Sequence, residues 1–551
     1  MSEAKDNHAE NYSIPLEAKN VFCKGILQNP LISKYLSPEF ADYAQFVKFE
    51  GSENPSIPIN WRLAESIASL KALEATAVNL FFMSAFIWTI NYNGADLTPF
   101  TAASDPEYLK AFPNKWDLHR FNVGLHRRLI TNIYETKNGR YYHTHGGINP
   151  DLSLDSLGLP HDREVEDYDE ALKPFINKIS VIDSAAIDHL ANEEYKQSGT
   201  VCLSIDEYRN SEQGKANAHV ALFEIDKVFI ETQPPCWWPD APQTSPQRPL
   251  AGLKVLDLGR AIAVPTATRG LAELGASVLR ITAPHITDMV VSLSEFAWGK
   301  WNSHLDFRKE EDRQRIRELV LEADVVVQGY RPGVLDKYGF SPKGLLDICK
   351  GRERGLIVVR ENCYGWYGPW SHRTGWQQIS DASTGVSLQF GRAMGNDEPV
   401  SPFFPNSDIG AGVSGTIGIL VALLKRGESD CSQLLFTMAW LVNSVGTYSP
   451  EVWDEVWTRN GKQVFRHYHD QFYTLEKYRS TLQKSSPNLW NPDFFEDRYA
   501  YGYGKPIRTV KPIAQYQGKK NTIKLGYNVP CRTNGVDAPK WPDDLMMEVV
   551  V

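Results

Sequence analysis

The chain has 551 residues, 42% of them hydrophobic, 23% charged and 11% aromatic, the composition of a soluble globular protein long enough for two or three domains with cores of their own. A formal net charge of −9 gives no general basic footprint, which excludes nucleic acid as a principal partner. Seven cysteines (Cys23, Cys202, Cys236, Cys349, Cys363, Cys431, Cys531), odd in number and without a C-x-x-C pair, point to free thiols in a reducing compartment.

The polar, partly acidic start, Met1-Ser-Glu-Ala-Lys-Asp-Asn-His-Ala-Glu, fits neither a signal peptide nor an Arg-rich transit peptide. The end, Met546-Met-Glu-Val-Val-Val551, matches no retention or peroxisomal tripeptide, and the longest apolar run, Val413 to Leu424, is about half a membrane span. The expectation is a soluble cytoplasmic protein with no membrane partner. Residues 1–55 are polar and proline-interrupted, which predicts a loosely ordered lead-in. From Trp61 to Phe81, Leu63, Ile67, Leu70, Leu73, Ala77 and Leu80 fall at helical spacing and predict an amphipathic helix. The irregular, aromatic stretch from Asp96 ends in His126-Arg-Arg128, a basic run that suits a phosphate or, more commonly, a solvated helix face.

Tyr134-Glu-Thr-Lys-Asn-Gly139-Arg-Tyr-Tyr-His-Thr-His145 predicts two strands joined at Asn-Gly. His143 and His145 then share a strand face, but no third ligand stands at a metal-binding spacing, so a structural strand is the simpler reading. Helices are predicted near Glu170–Ile179 and Ser184–Lys196, with extended pieces at Gly199–Leu203 and Ala218–Glu231. The Pro- and Trp-rich stretch at 233–248 reads as a linker.

Beyond it strands and helices alternate. Leu253–Leu258, Ser277–Ile281, Asp324–Gln328 and Leu356–Arg360 read as buried strands, with Thr266–Leu274 and Lys309–Glu322 as helices between them and short helices after Pro332 and Ser341. That order predicts a parallel sheet with right-handed crossovers, whose ligands bind at the carboxyl ends of the strands. The first turn, Asp257-Leu-Gly-Arg-Ala-Ile-Ala-Val-Pro265, lacks G-x-G-x-x-G, which argues against a nicotinamide dehydrogenase. The tail from Tyr448 is rich in Trp, Tyr and Asn and reads as packing against the rest; its Arg466-His467-Tyr-His469-Asp470 run has no partner cluster that makes it a metal or acid–base site.

The second half centres on Pro405-Asn-Ser-Asp408-Ile-Gly-Ala-Gly412-Val-Ser-Gly415-Thr-Ile-Gly418, a carboxylate at the mouth of an apolar helix. Asp408 reads as an N-cap, ionised at neutral pH because first-turn N–H groups and the helix dipole favour the anion. Glycine costs about 1 kcal/mol per helical position relative to alanine, so the bare face of Gly412, Gly415 and Gly418 implies something packed close, most commonly another helix or strand.

Several stretches together resemble the family III coenzyme A transferases, also called the CaiB/BaiF family. They are Pro249-Leu-Ala-Gly-Leu-Lys-Val-Leu-Asp-Leu-Gly-Arg260, Leu271-Ala-Glu-Leu-Gly-Ala-Ser-Val-Leu-Arg280, Leu305-Asp-Phe-Arg308, Ala323-Asp-Val-Val-Val-Gln-Gly-Tyr-Arg-Pro-Gly-Val-Leu-Asp336, Tyr364-Gly-Trp-Tyr-Gly-Pro369 and the Asp408 helix. Gly139-Arg-Tyr-Tyr, Leu157-Gly-Leu-Pro160 and Ser198-Gly-Thr-Val-Cys202 resemble the family's small domain, which normally follows the large one, and Val510-Lys-Pro-Ile-Ala-Gln-Tyr516 resembles its closing strand. The resemblance implies a rearranged or partly duplicated member: a lead-in at 1–55, a small-domain-like first half at 56–232, the linker at 233–248, the large domain at 249–447 and a tail at 448–551. The fold class it implies is α/β, with an open Rossmann-like parallel sheet in the second half and a smaller α+β domain in the first. Members form interlocked dimers, which implies a homodimer.

Members move coenzyme A between carboxylic acids or epimerise acyl-CoA thioesters. Coenzyme A and acyl-CoA are then substrates, a carboxylic acid is the second partner, and no cofactor is bound permanently. In the transferase branch an aspartate, here Asp408, attacks the thioester and carries coenzyme A as an aspartyl thioester, with the helix glycines giving the thioester room. Carried over, the coenzyme A contacts are Ala261, Ile262 and Ala263, then Leu305, Asp306, Phe307 and Arg308, then Gly329, Tyr330 and Lys337. Trp376, Gln377 and Gly412 would line the substrate pocket. Trp376 stands where the racemase branch has a histidine, and a tryptophan transfers no proton. Gln377 replaces a usual acidic residue, Ala283 and Trp301 replace basic phosphate partners, and the family's glycine-rich loop has no counterpart. The function implied is a coenzyme A transferase with a place in specialised metabolism. A silent acyl-CoA binding or scaffolding protein and an epimerase are the other readings.

Overall fold

The computed structural model describes residues 12–82, 87–91, 116–121, 123–226, 228, 233–234, 236–241, 247–425, 434–500, 504–517 and 523–546. Within the lead-in predicted at 1–55, the described residues from 12 onward include helices at Ile14–Leu27, Pro30–Ser33 and Glu39–Ala44. Ile14–Asn20 starts on a Ser13 cap and the chain stays helical to Leu27. Ile14, Ala18, Phe22 and Ile26 recur every fourth residue and are buried, a periodicity hidden among polar neighbours. Arg62 ties this segment down by pairing with Glu17 at 2.6 Å, and the Trp440 indole donates to Gly25 O at 3.0 Å. Strand β1 (Val47–Glu50) pairs in parallel with β2 (Ile87–Asn91).

Between them lies α1 (Leu63–Phe82), the helix predicted from Trp61. Its amphipathic pattern does not mark a wet face, because it joins the main core with the second half. The charged residues it carries stay inside by pairing: Lys71 with Glu74 and, at 3.5 Å, with Glu273, and Glu65 with the hydroxyls of Tyr12 and Tyr448.

The expected hairpin is β3 (Asn132–Glu135) and β4 (Tyr141–His145), turned at Gly139 with φ +71°, and β5 (Ser198–Val201) adds to β4 antiparallel. Helices at Asp151–Leu157, Tyr168–Ile179 and Ser184–His189 close a small core of their own around Tyr134, Tyr142, Leu172 and Phe175. The extended piece predicted from Ala218 contains no strand as far as residue 226, and part of its remainder lies outside the described residues.

In the second half β6 (Lys254–Leu258), α2 (Ala263–Glu273), β7 (Ser277–Thr282), β8 (Lys300–His304), α3 (Glu310–Glu322), β9 (Val325–Gln328) and β10 (Ile357–Arg360) build a parallel sheet of order β10-β9-β6-β7-β8. This is the expected fold class. Runs such as Val325-Val-Val-Gln328 are buried throughout, as parallel strands covered on both faces are. The order reverses between β6 and β9, and a crevice opens outside the carboxyl ends of strands at such a switch point. Strand β8 has no apolar run to announce it. It is covered instead by the C-terminal segment, where Asn302 N–H donates to Asp537 Oδ2 at 2.8 Å and Ser303 Oγ to Ala538 O at 2.7 Å.

Helices α4 (Gln377–Ser383), α5 (Asn406–Lys425) and α6 (Gln471–Ser485) follow, then the hairpin β11 (Phe495–Ala500) and β12 (Lys505–Val510). Strand β13 (Ala514–Gln517) returns to pair antiparallel with β2. Among the described residues α5 is the one helix long and apolar enough to cross a membrane, and 89% of its 18-residue apolar window is buried inside the protein.

Candidate active site

The crevice at the switch point is a cavity of about 660 Å³. The β6–α2 turn supplies Arg260 to Val264, the segment after β7 supplies His285 to Thr287, and that after β9 supplies Gly329 to Arg331. Glu361 follows β10, and Trp376, Gln377, Gln378 and Asp408 stand at the starts of α4 and α5. The first half closes the cavity with Arg127, Arg128, His145 and Lys196, and the tail with Asp470, Gln471 and Phe472.

The β6–α2 turn is tight enough to hold Ala261 at φ +70°, a conformation a residue with a Cβ rarely takes. Ile262 makes no side-chain cap to α2, so the first-turn amides of that helix remain for an anion in the cavity. Arg260 Nη1 donates to Thr287 O at 2.7 Å, and Arg331 Nη1 donates to Lys196 O and Thr374 Oγ1, both at 2.9 Å. Neither guanidinium has a carboxylate partner among the described residues. Burial, and then the charge of Arg260, push the Arg331 pKa down. Two cations that repel each other at strand ends favour an anionic ligand.

Asp408 is the third residue of α5, in its first turn rather than at the cap. Its side chain is 9% exposed, and burial pushes its pKa up to about 7, against the pull toward the anion expected from the helix start. Burial and the charge of Asp408 together raise Glu361 to about 8. Asp381 is raised well above the usual carboxylate range by burial, and Gln377 Nε2 donates to it. Asp381 stands one helical turn after Gln377 but does not line the cavity.

Trp376 lies flat on His145, with ring centroids 5.2 Å apart and planes 4° from parallel. Gly147 N–H donates to His145 Nδ1 at 2.9 Å, so Nε2 carries the proton and donates to Gln378 Oε1 at 2.9 Å. Gln378 Nε2 donates in turn to Gln471 Oε1 at 2.6 Å, tying β4, α4 and α6 together across the cavity. Burial holds the His145 pKa down to about 3, so the ring is a neutral wall. His143, on the same strand face, is also fully engaged, with Nδ1 at 2.7 Å from Thr144 O and Nε2 at 3.1 Å from Ser401 Oγ.

Of the coenzyme A contacts expected from the sequence, Ala261, Ile262, Ala263, Gly329 and Tyr330 line the cavity; Leu305, Asp306, Phe307, Arg308 and Lys337 do not. Leu305 is buried beneath the sheet, and Phe307 meets Phe340 edge to face at 5.3 Å. Asp306 pairs with Arg308 at 2.7 Å and with the cavity residue His285 at 3.5 Å, so this segment stands one layer back. The Lys337 ammonium sits over the ring of Tyr338 at 4.9 Å. Trp376 and Gln377 line the cavity, whereas Gly412 does not. A Cβ at Gly412 would lie 2.4 Å from Thr266 Cβ and 2.8 Å from Ala263 O, so at Gly412 the bare face of α5 is filled by α2.

Ala283 and Trp301 are buried in the core, and the cations of the cavity come from elsewhere. Arg260 and Arg331 stand inside the motifs that carried the resemblance. Of the basic run at 126–128, Arg127 is a structural residue bonded to Asp151 and to three backbone carbonyls, while Arg128 reaches Asp470 at 3.2 Å.

The cavity thus joins an uncapped helix start at the switch point of a parallel sheet to a carboxylate withdrawn from water. The chain belongs to the CaiB/BaiF family of coenzyme A transferases: residues 250–478 match the model of CoA-transferase family III. It is 47% identical, over 99% of its length and 96% of the relative's, to acetyl-coenzyme A transferase nodX of Hypoxylon pulicicidum. An acyl-CoA transferase of Gibberella moniliformis is 29% identical over 79% of each chain. Succinyl-CoA:glutarate CoA-transferase of Mus musculus is 29% identical over 38% of this chain and 52% of its own. Among solved structures, a CaiB/BaiF family protein from Brucella suis is 27% identical over 36% of this chain and 56% of its own, with a TM-score of 0.32.

Proposed function

We propose that Asp408 is the covalent nucleophile of a coenzyme A transfer between an acyl-CoA and a carboxylic acid. The observation that carries the reading is the position of Asp408: within the family-matched residues, at the start of α5, facing the cavity and withdrawn from water. The Asp408 carboxylate attacks the acyl carbon, the C–S bond breaks, and a mixed anhydride and the coenzyme A thiolate result. The thiolate attacks the Asp408 carbonyl carbon, the first acid leaves as its carboxylate, and an aspartyl thioester remains. The incoming acid attacks that thioester, and the released thiolate then attacks the new acyl carbon, restoring Asp408 and completing the acyl-CoA. Arg260, Arg331 and the open first turn of α2 hold the phosphates of coenzyme A. Trp376 and the pinned, neutral His145 form a wall that exchanges no proton, which favours transfer over epimerisation.

The relative named for acetyl-coenzyme A makes acetyl-CoA the first donor to try. Incubation with acetyl-CoA, followed by digestion, is expected to yield a labile adduct on the peptide carrying Asp408. Asp408→Ala is expected to lose the adduct and to lower transfer by about 10³-fold or more. Transfer undiminished in that variant would sink the mechanism.

A further inference from the structure

We propose that Glu361 is the partner carboxyl of Asp408, holding the proton that the coenzyme A sulfur takes when its thioester bond breaks and returns when that bond is remade. The inference rests on the reading of Asp408 as nucleophile.

Glu361 is the first residue beyond β10, fixed there by its N–H donating to Gln328 O at 2.9 Å, and it lines the same cavity as Asp408. Its Oε1 is shielded from solvent and has no hydrogen-bond partner. A buried carboxylate oxygen without donor or cation is costly, and a neighbouring anion raises the cost, so the side chain keeps its proton. The titratable groups around it reinforce this. Asp408 faces it from α5, and Cys363 on its own loop is pushed far above the thiol range by burial and by Glu361, Asp408 and Asp381. Asp381 on α4 is held by Gln377.

This placement supplies what the exchange requires. Sulfur leaves a carbonyl carbon twice in each cycle and attacks one twice. When Asp408 displaces it, the C–S bonding electrons pass to sulfur and the Glu361 O–H proton follows, leaving a thiol and a Glu361 carboxylate. When sulfur attacks, the thiol proton returns to Glu361 and the thiolate forms the new C–S bond. An acid near 8 is matched to an alkyl thiol near ~8.5, so the proton moves in either direction with little cost.

Glu361→Gln keeps the shape and hydrogen-bonding capacity of the protonated acid but releases no proton. It is expected to retain the Asp408 adduct from a single incubation with acetyl-CoA, to lower steady-state transfer about 10²-fold, and to abolish the limb of the pH profile near 8, which Glu361→Asp restores. Turnover and pH profile unchanged in Glu361→Gln would overturn the proposal. The infrared band of a protonated carboxyl at pH 7.5 gives a readout independent of turnover. Asp381, also raised by burial, keeps part of that band, so a decrease by one carboxyl in Glu361→Gln supports the proposal, and persistence at full strength overturns it. Absence of an adduct on Asp408 in the unsubstituted protein would count against the nucleophile reading alone, since the infrared band still reports on Glu361.

Discussion

Asp408 was legible in the sequence through its helix and its neighbours, but its charge state was not. Capping and the dipole act within one turn and can be read locally, whereas burial depends on chain brought from far away, and burial wins. Glu361 was hidden for the same reason, since one acidic residue after a Val-rich strand carries no local mark. The cations of the cavity were half legible: Arg260 and Arg331 stood in the matching motifs, while Arg308 and Lys337, the basic contacts expected from the sequence, lie outside the cavity lining. Charge-assisted bonds to phosphate contribute about 1.5–3 kcal/mol each, which corresponds to ~10–100-fold in affinity. Arg331→Ala is therefore expected to raise the calorimetric Kd for coenzyme A at least ~10-fold and to weaken its dependence on salt. An unchanged Kd would mean that the phosphates lie elsewhere.

Elements were legible where periodicity was strong and their surroundings were not. The Val- and Leu-rich strands and the helix at Leu63–Phe82 stand where the spacing put them, whereas β8, Lys300-Trp-Asn-Ser-His304, depends on the C-terminal segment that covers it. The glycines of α5 announced a close neighbour but not its identity. That neighbour is α2, where Thr416 Oγ1 donates to Ala267 O at 3.0 Å and a Cβ at Gly270 would lie 2.5 Å from Thr416 Oγ1. The crossing couples the helix of Asp408 to the β6–α2 turn proposed to hold coenzyme A, because the backbone that Gly412 touches is that of Ala263. Gly412→Ala brings alanine's helix propensity but forces α2 away. The overpacking term of about 1–3 kcal/mol exceeds the ~1 kcal/mol gained, so a lower Tm is expected, together with weaker coenzyme A binding. A raised Tm with unchanged affinity would show that the crossing has slack.

At the scale of the whole molecule the two halves close one cavity, and the groups buried around it tie stability to pH. This was beyond the sequence, since His145 and Asp408 line one cavity only because the first half lies against the second. Asp408 and Glu361 have folded pKa values of about 7 and about 8, raised above those of the unfolded chain. Their contribution is fully present below the unfolded carboxylate range and is lost as pH rises through about 7–8. His143 and His145, held neutral with pKa values of about 4 and about 3, contribute in the opposite direction: their term is fully present above about 6.5 and is lost as pH falls below it. Between about pH 4.5 and 6.5 the opposing slopes of the two pairs cancel, so these four groups give a plateau of maximum stability there, with losses as pH rises from about 6.5 to 8 and as it falls from about 4.5 to 3. Scanning calorimetry across pH is expected to show Tm falling on both sides of that plateau. In the double variant Asp408→Asn with Glu361→Gln the decline above about pH 7 should flatten while the acid side persists. An alkaline decline as steep in the double variant as in the unsubstituted protein would show that other groups govern it and that the cavity carboxyls are ionised in the folded state.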